Sequence, residues 1–251
     1  MHAFGTTFLA LCLAHLLTDL VFESDRRLAR RKRGEVVAYL EHGGLHLVTT
    51  AMLAGFAGPA SARSVSFYAV LTGLTLAHLA LDWGRFAVAK GSEQIRVLVT
   101  GQTLRVLTMA VAAELLTGTS RGEWVAAGSW VQSHAEKTLL ILVAYVGVVF
   151  GGGRLVRVAT KPLLSGDLGL VGHTAGELQN AGMYIGWLER FLIMTSLMLQ
   201  SPATAGLILA AKSIARYPEF KSERFAEYFL IGTLLSISLG IMGGLVLWKV
   251  L

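Results

Sequence analysis

The sequence predicts an all-α, polytopic transmembrane helix bundle of about eight helices, with the N-terminus and the C-terminus outside. Three observations lead there. Of the 251 residues, 54% are hydrophobic and only 15% charged, and the mean hydropathy of +0.60 is above that of ordinary water-soluble domains. Apolar segments near the length needed to cross a bilayer, about 20 residues, recur along the chain. When those segments are threaded in order, the basic residues sort onto one side.

The first segment, roughly residues 3 to 22, has no Lys or Arg before it and a dense basic block behind it, Arg26, Arg27, Arg30, Arg31, Lys32 and Arg33. That is the reverse of a secretory signal, so a retained helix entering from outside is expected. Further spans are expected at roughly 36 to 58, 66 to 89, 95 to 117, 136 to 151, 181 to 199, 203 to 217 and 226 to 248, the fifth and seventh being short. The inner side then holds the basic block with Arg85, Lys90, Arg96, Arg154, Arg157, Lys161, Lys212, Arg216, Lys221 and Arg224. The outer side keeps Arg63, Arg121, Lys137 and Lys249. This bias accounts for the net charge of +6 through orientation and contact with anionic lipid headgroups, and nucleic acid is not an expected partner. The location that follows is the cytoplasmic (inner) membrane of a bacterium, with the lipid bilayer, and other membrane subunits, as partners. Cys12 is the one cysteine, which rules out a disulfide framework and a Cys-rich metal site. Three regions are expected: 1–151, a transmembrane half; 152–180, a Gly-rich cytoplasmic connection; and 181–251, a second transmembrane half.

Three pairs of ionisable residues stand out within the apolar segments: His15/Asp19, His42/His46 and His78/Asp82. Spacing i to i+4 puts both members of a pair on one helix face. At about 1.5 Å per residue, the first pair lies roughly 10 and 5 Å from the inner end of its helix, the second roughly 9 and 15 Å in, and the third roughly 15 and 9 Å from the inner end. Three antiparallel helices thus place their polar residues in one layer, a pocket in the inner half of the membrane open to the cytoplasm. Ionisable groups at that depth are costly to keep unless they serve a purpose.

Imidazole nitrogen and carboxylate oxygen suit one divalent cation, zinc or manganese, with iron also compatible. His15, His46, His78 and Asp82 are the expected ligands. Asp19 and His42 are expected to orient a ligating imidazole or to act as general base. The competing reading is metal-free, with the same residues hydrogen-bonded to one another and to Ser or Thr as interhelical glue. Proton or solute handling is a third use.

The order HLLTD, a basic turn, HGGLH, AHLALD, and later GWLERFLI, AAKSIARYP and AEYFLIGTLLS resembles the bacterial multi-pass membrane family known as domain of unknown function 3307. More distantly, it is similar to membrane proteins labelled as metal-dependent hydrolases. The resemblance implies a polar site on His15, Asp19, His46, His78 and Asp82. Two departures stand out. Where the family pattern reads Asp-Gln-x-x-His, this chain has Gly101-Gln102-Thr103-Leu104-Arg105, and Glu23 stands where Gln is usual. A guanidinium cannot give up its proton to make room for a cation, so Arg105 instead suits Asp19 or Asp82 as a salt-bridge partner.

The second half has its own charged layer, with Glu189 and Arg190 about 12 Å into the sixth span, Lys212 near the inner end of the seventh and Glu227 opening the eighth. Arg190 and Lys212 suit an anionic headgroup or phosphate; internal ion pairs between helices are the preferred reading. His173 and Glu177 fall in the inner connection, either capping the pocket or solvated. Gly151-Gly152-Gly153-Arg154 lacks the Lys-Ser/Thr of a nucleotide loop. Gly240, Gly243 and Gly244 offer a small-residue packing surface. Two functions from different classes follow: a membrane-embedded metal-dependent hydrolase acting on a lipid-linked or phosphate-bearing substrate, or a non-catalytic accessory or scaffold subunit of a larger membrane complex. A transporter ranks third, because the His-x-x-x-Asp echo between the first and third spans is too short to be a repeat.

Overall fold

The computed structural model describes residues 2–57, 64–89, 95–118, 134–164, 181–215, 217 and 223–250, and contains no strand among them. His173 and Glu177 lie outside the described residues. Among the described residues five helices are long and apolar enough to cross a membrane, Ala3–Val21, Val65–Val88, Ile95–Thr117, His134–Lys161 and Ala226–Val250, as a multi-pass membrane protein requires. The chain divides into two compact units, Met1–Val146 and Gly147–Leu251.

In the first unit, α1 (His2–Leu16) runs into a π-helical turn at Leu17–Val21, marked by the i to i+5 hydrogen bond from Phe22 N to Leu17 O (2.8 Å). The basic block, expected as a turn, is a helix, α2 (Asp25–Lys32). Ser24 caps its N-terminus, accepting from Arg27 N (3.3 Å). Gly34, at φ +80°, closes its C-terminus, with Gly34 N donating to Arg31 O and Glu35 N to Arg30 O, a pairing that requires a left-handed residue. Then follow α3 (Val36–Ala57), α4 (Val65–Ala89), α5 (Ile95–Thr117) and α6 (His134–Val146). The central helix is α1, which packs on α3, α5 and α6, while α4 packs on α3 and α5.

This unit is apolar outside and partly polar inside. Val36, Val37, Leu40, Val48, Met52 and Phe56 of α3 are exposed, whereas His42 and His46 of the same helix are buried. An inverted distribution of this kind fits hydrocarbon as solvent, because lipid tails accept apolar side chains as readily as a protein core does. One apolar layer lies beside the polar one: Leu11 and Cys12, Ala54, Phe67, Leu71 and Leu74, and Met109, Ala112 and Ala113 pack together. Gly43 lies between His42 and His46, and a Cβ there would sit 2.8 Å from Leu79 Cδ1. The missing side chain lets α3 approach α4 and brings both α3 histidines beside His78.

In the second unit, a π-helical turn (Gly147–Gly151) leads into α7 (Gly152–Leu164), followed by α8 (Ala181–Met198), α9 (Ala203–Ala215) and α10 (Glu223–Val250). The helix expected to end at 151 therefore continues through Gly152 and Gly153 to Leu164, because Arg190 fills the space that those glycines leave open: Cβ atoms there would lie 3.2 and 2.8 Å from its side chain. The small-residue surface of α10 is occupied within the unit, with Gly240 facing Ile193, Gly243 facing Val148 and Met194, and Gly244 facing Leu197. Neither α3 nor α8 is among the five helices long and apolar enough to cross a membrane; α3 carries Glu41, His42 and His46, and α8 carries Glu189 and Arg190.

Candidate functional site

Four elements of the first unit converge on the buried polar layer: α1 with its π turn, α3, α4 and α5. His15 comes from the last turn of α1 and Asp19 from the π turn. A π turn spaces its hydrogen bonds at i to i+5, which swings Asp19 away from the i+4 position over His15. The His15 Nδ1 to Asp19 Oδ2 separation is accordingly 3.9 Å, beyond hydrogen-bond range. The turn is held by Thr18, whose hydroxyl donates to Ala14 O (2.9 Å) and lies 2.8 Å from Thr49 Oγ1 on α3.

Asp19 meets histidines from two other helices. Its Oδ1 is 3.3 Å from His42 Nε2 and 3.3 Å from His78 Nε2, and those two nitrogens are 3.0 Å apart. Three electron-pair donors thus form a nearly equilateral triangle. A tetrahedral zinc site with bonds of about 2.0–2.1 Å has ligand-to-ligand edges of about 3.3–3.4 Å, so the triangle has the size of one face of such a site. Asp19 Oδ1 is buried and has no hydrogen bond of acceptable geometry; an ionised oxygen in that state is costly without a cation. The donor set therefore fits a divalent metal.

A second trio, His15, His46 and His78, also has ligand atoms within 4.8 Å of one another. The rings of His46 and His78 stack at 4.4 Å between centroids, and those of His15 and His78 meet edge-on at 5.2 Å. His78 is common to both trios. Each remaining imidazole is tied by its other nitrogen or by a neighbour. His42 Nδ1 lies 3.2 Å from Glu23 Oε2; a carboxylate oxygen accepts there, so Nδ1 is the protonated nitrogen and Nε2 is the one that a metal-bound, neutral ring would turn toward the triangle. His46 Nδ1 is 3.0 Å from Thr75 Oγ1, and His15 Nε2 is 3.2 Å from Gln102 Oε1.

Asp82 occupies a different environment. It belongs to neither trio, and its carboxylate is taken up by arginines: it accepts from Arg31 Nη1 and from Arg105 Nη2, and Arg85 Nη2 is 3.3 Å away. His42 Nε2 stands 4.0 Å from it. Asp82, one of the expected ligands, is the hub of a guanidinium cluster. Arg31 also donates to Glu23, which ties the two carboxylates together. Among the described residues at this centre, Glu23 and Asp82 pair with guanidiniums, whereas the ion pairs of Asp19 are with imidazoles.

Arg31 and Arg85 were hidden among residues that sequence assigns to orientation. Arg31 is 2% exposed and Arg85 6%, and no periodicity within the basic block distinguishes Arg31 from its neighbours. Arg85 had a local signal, since it stands three residues after Asp82. The exposed neighbours on α2 do behave as a solvated charged face: Arg30 bonds Glu35 (2.7 Å) and Glu41 (3.2 Å), and the Arg30 and then Arg33 guanidiniums hold the Glu35 carboxyl below the usual range.

In the second unit, Lys212 Nζ donates to Glu189 Oε2 (2.6 Å). Arg190 donates through Nε and Nη2 to Val149 O (3.0 and 2.7 Å) and through Nη1 to Ser236 Oγ (3.0 Å). Lys212 and Glu189 form an internal ion pair, while Arg190 satisfies a carbonyl in the π-helical turn.

No curated protein and no solved structure matches the chain. A family model does, over residues 7–132, which contain every residue of the His/Asp centre. With half of its length so matched, the chain belongs to the family of proteins of unknown function DUF3307.

Proposed function

We propose that the buried centre is the divalent-metal site of a membrane-embedded hydrolase in a bacterial cytoplasmic membrane, with Asp19, His42 and His78 holding the cation and its pocket on the basic, inner side. The triangle of Asp19 Oδ1, His42 Nε2 and His78 Nε2 carries this reading. Zinc or manganese bound there would supply Lewis-acid polarisation and a water of lowered pKa. The chain's own residues do the remaining work. Glu23 fixes the tautomer of His42, and Thr75 and Gln102 orient His46 and His15, which flank the triangle within reach of a bound water or substrate. Exclusion of water comes from burial, since His42 is 1% and His46 2% exposed.

A second reading, a non-catalytic scaffold or accessory subunit of a membrane complex, is favoured by the guanidinium cluster, which already neutralises Asp82 and Glu23 without a metal. Elemental analysis and zinc or manganese titration of the purified full chain separate the two. Under the enzyme reading one metal per chain is bound and is lost in Asp19→Asn and His78→Ala, while Asp82→Ala does not remove a direct ligand. A folded wild-type protein that takes up neither metal sinks the hydrolase reading and leaves the scaffold.

A further inference from the structure

The Asp82 cluster leaves several guanidinium N–H groups without a partner. Arg105 is 1% exposed, yet its Nε and Nη1 have no hydrogen-bond partner, and Arg31 Nε is in the same state. Buried cationic N–H donors left unpaired are costly and call for an acceptor. Residue 101 is glycine, and the first atom that a Cβ there would meet is Arg105 Nη1, at 3.4 Å, so no side chain from that position supplies the acceptor.

We propose that Arg105 and Arg31 form a subsite for a phosphate-bearing ligand, adjoining the Asp19/His42/His78 triangle through Asp82. Only the inference that this ligand is the hydrolase's substrate rests on the metal reading; the anion subsite stands without it. Position supports the link, because Arg105 binds Asp82, whose other oxygen is 4.0 Å from His42 Nε2. Charge supports it as well, since Arg105 and Arg31 bring buried cationic N–H donors that an oxyanion would satisfy. Phosphate is the fitting class, since an oxyanion with several acceptor oxygens can take more than one of the unpaired guanidinium N–H groups. The phosphate can come from free solute or from a lipid headgroup, both of which present the same group.

The test uses the full chain in phosphatidylcholine nanodiscs. Inorganic phosphate binding is followed by phosphorus NMR at constant ionic strength, with and without zinc. A parallel preparation containing phosphatidic acid is examined for bound lipid by native mass spectrometry. Phosphate or phosphatidic acid binds saturably, the responding probe identifying the source, and Gly101→Asp and Arg105→Gln each weaken binding by about tenfold or more. Gly101→Asp supplies an internal carboxylate to Arg105 and adds no cavity, so it reports on the subsite even where Arg105→Gln fails to fold. Zinc uptake, measured separately on the same samples, reads the metal site: its absence defeats the hydrolase reading and leaves the anion result standing. The subsite is overturned when neither probe binds the wild type, or when Gly101→Asp binds as tightly as wild type.

Discussion

His15-x-x-x-Asp19 and His78-x-x-x-Asp82 are the same motif with different electrostatics. Asp82 is surrounded by Arg31, Arg85 and Arg105, and Asp19 by imidazoles. Removing one partner from a buried ion network typically costs about 3–5 kcal/mol, because the other charges are left uncompensated. Asp82→Asn, which takes a shared charged acceptor from Arg31, Arg85 and Arg105, should therefore lower the stability of the chelator-treated protein by that order, and Asp19→Asn by much less. Thermal unfolding in detergent checks this, and equal losses would sink the division of labour between the two carboxylates. Sequence identified who meets at the centre, because i, i+4 spacing at a common depth is enough to gather His15, His42, His46 and His78. It did not reveal which carboxylate stays without a guanidinium, since that depends on Arg31 folding back from a block of six basic residues.

At the level of elements, the apolar spans were legible because length and hydropathy nearly determine them; α3 and α5 fall within a residue of expectation. Two elements were not. The basic block reads as a loop under a positive-inside argument, yet its Ser24 cap and Gly34 closure make it helical. The continuation into α7 depends on Arg190 filling the space at Gly152 and Gly153, a contact more than thirty residues away in sequence. Glycine in α10 shows how closely such surfaces meet. A side chain at 244 would begin 2.7 Å from Leu197 Cδ1, whereas nothing lies within 4 Å of a Cβ at Gly206. Gly244→Leu should destabilise the protein by about 1–3 kcal/mol through overpacking, with Gly206→Leu close to neutral. Denaturant-driven unfolding followed by circular dichroism gives both values, and indifference at 244 would refute the close approach of α10 to α8.

For the whole molecule, the sequence conveyed an inverted protein, apolar outside with ionisable groups inside; the two compact units meet at Val146/Gly147, within helical backbone. The orientation expected from Lys and Arg has a direct readout, because Cys12 is buried and leaves the background unlabelled. A membrane-impermeant maleimide should modify Arg33→Cys from the cytoplasmic face only and Ser64→Cys from the opposite face only; the reverse pattern overturns the orientation. The π turn at Leu17–Val21 has a consequence for how this chain can vary. Relative to regular α-helix, such a turn accommodates one residue more, and each residue is worth about 100° of rotation. Deleting one residue there would straighten the helix and throw its two ends out of phase. Either the arm bearing Leu11 and His15 or the arm bearing Asp19 would then face the wrong way. Length within those five positions is therefore constrained along with the identity of Thr18 and Asp19: substitutions at Leu17, Leu20 and Val21 can be absorbed, but a gap of one cannot.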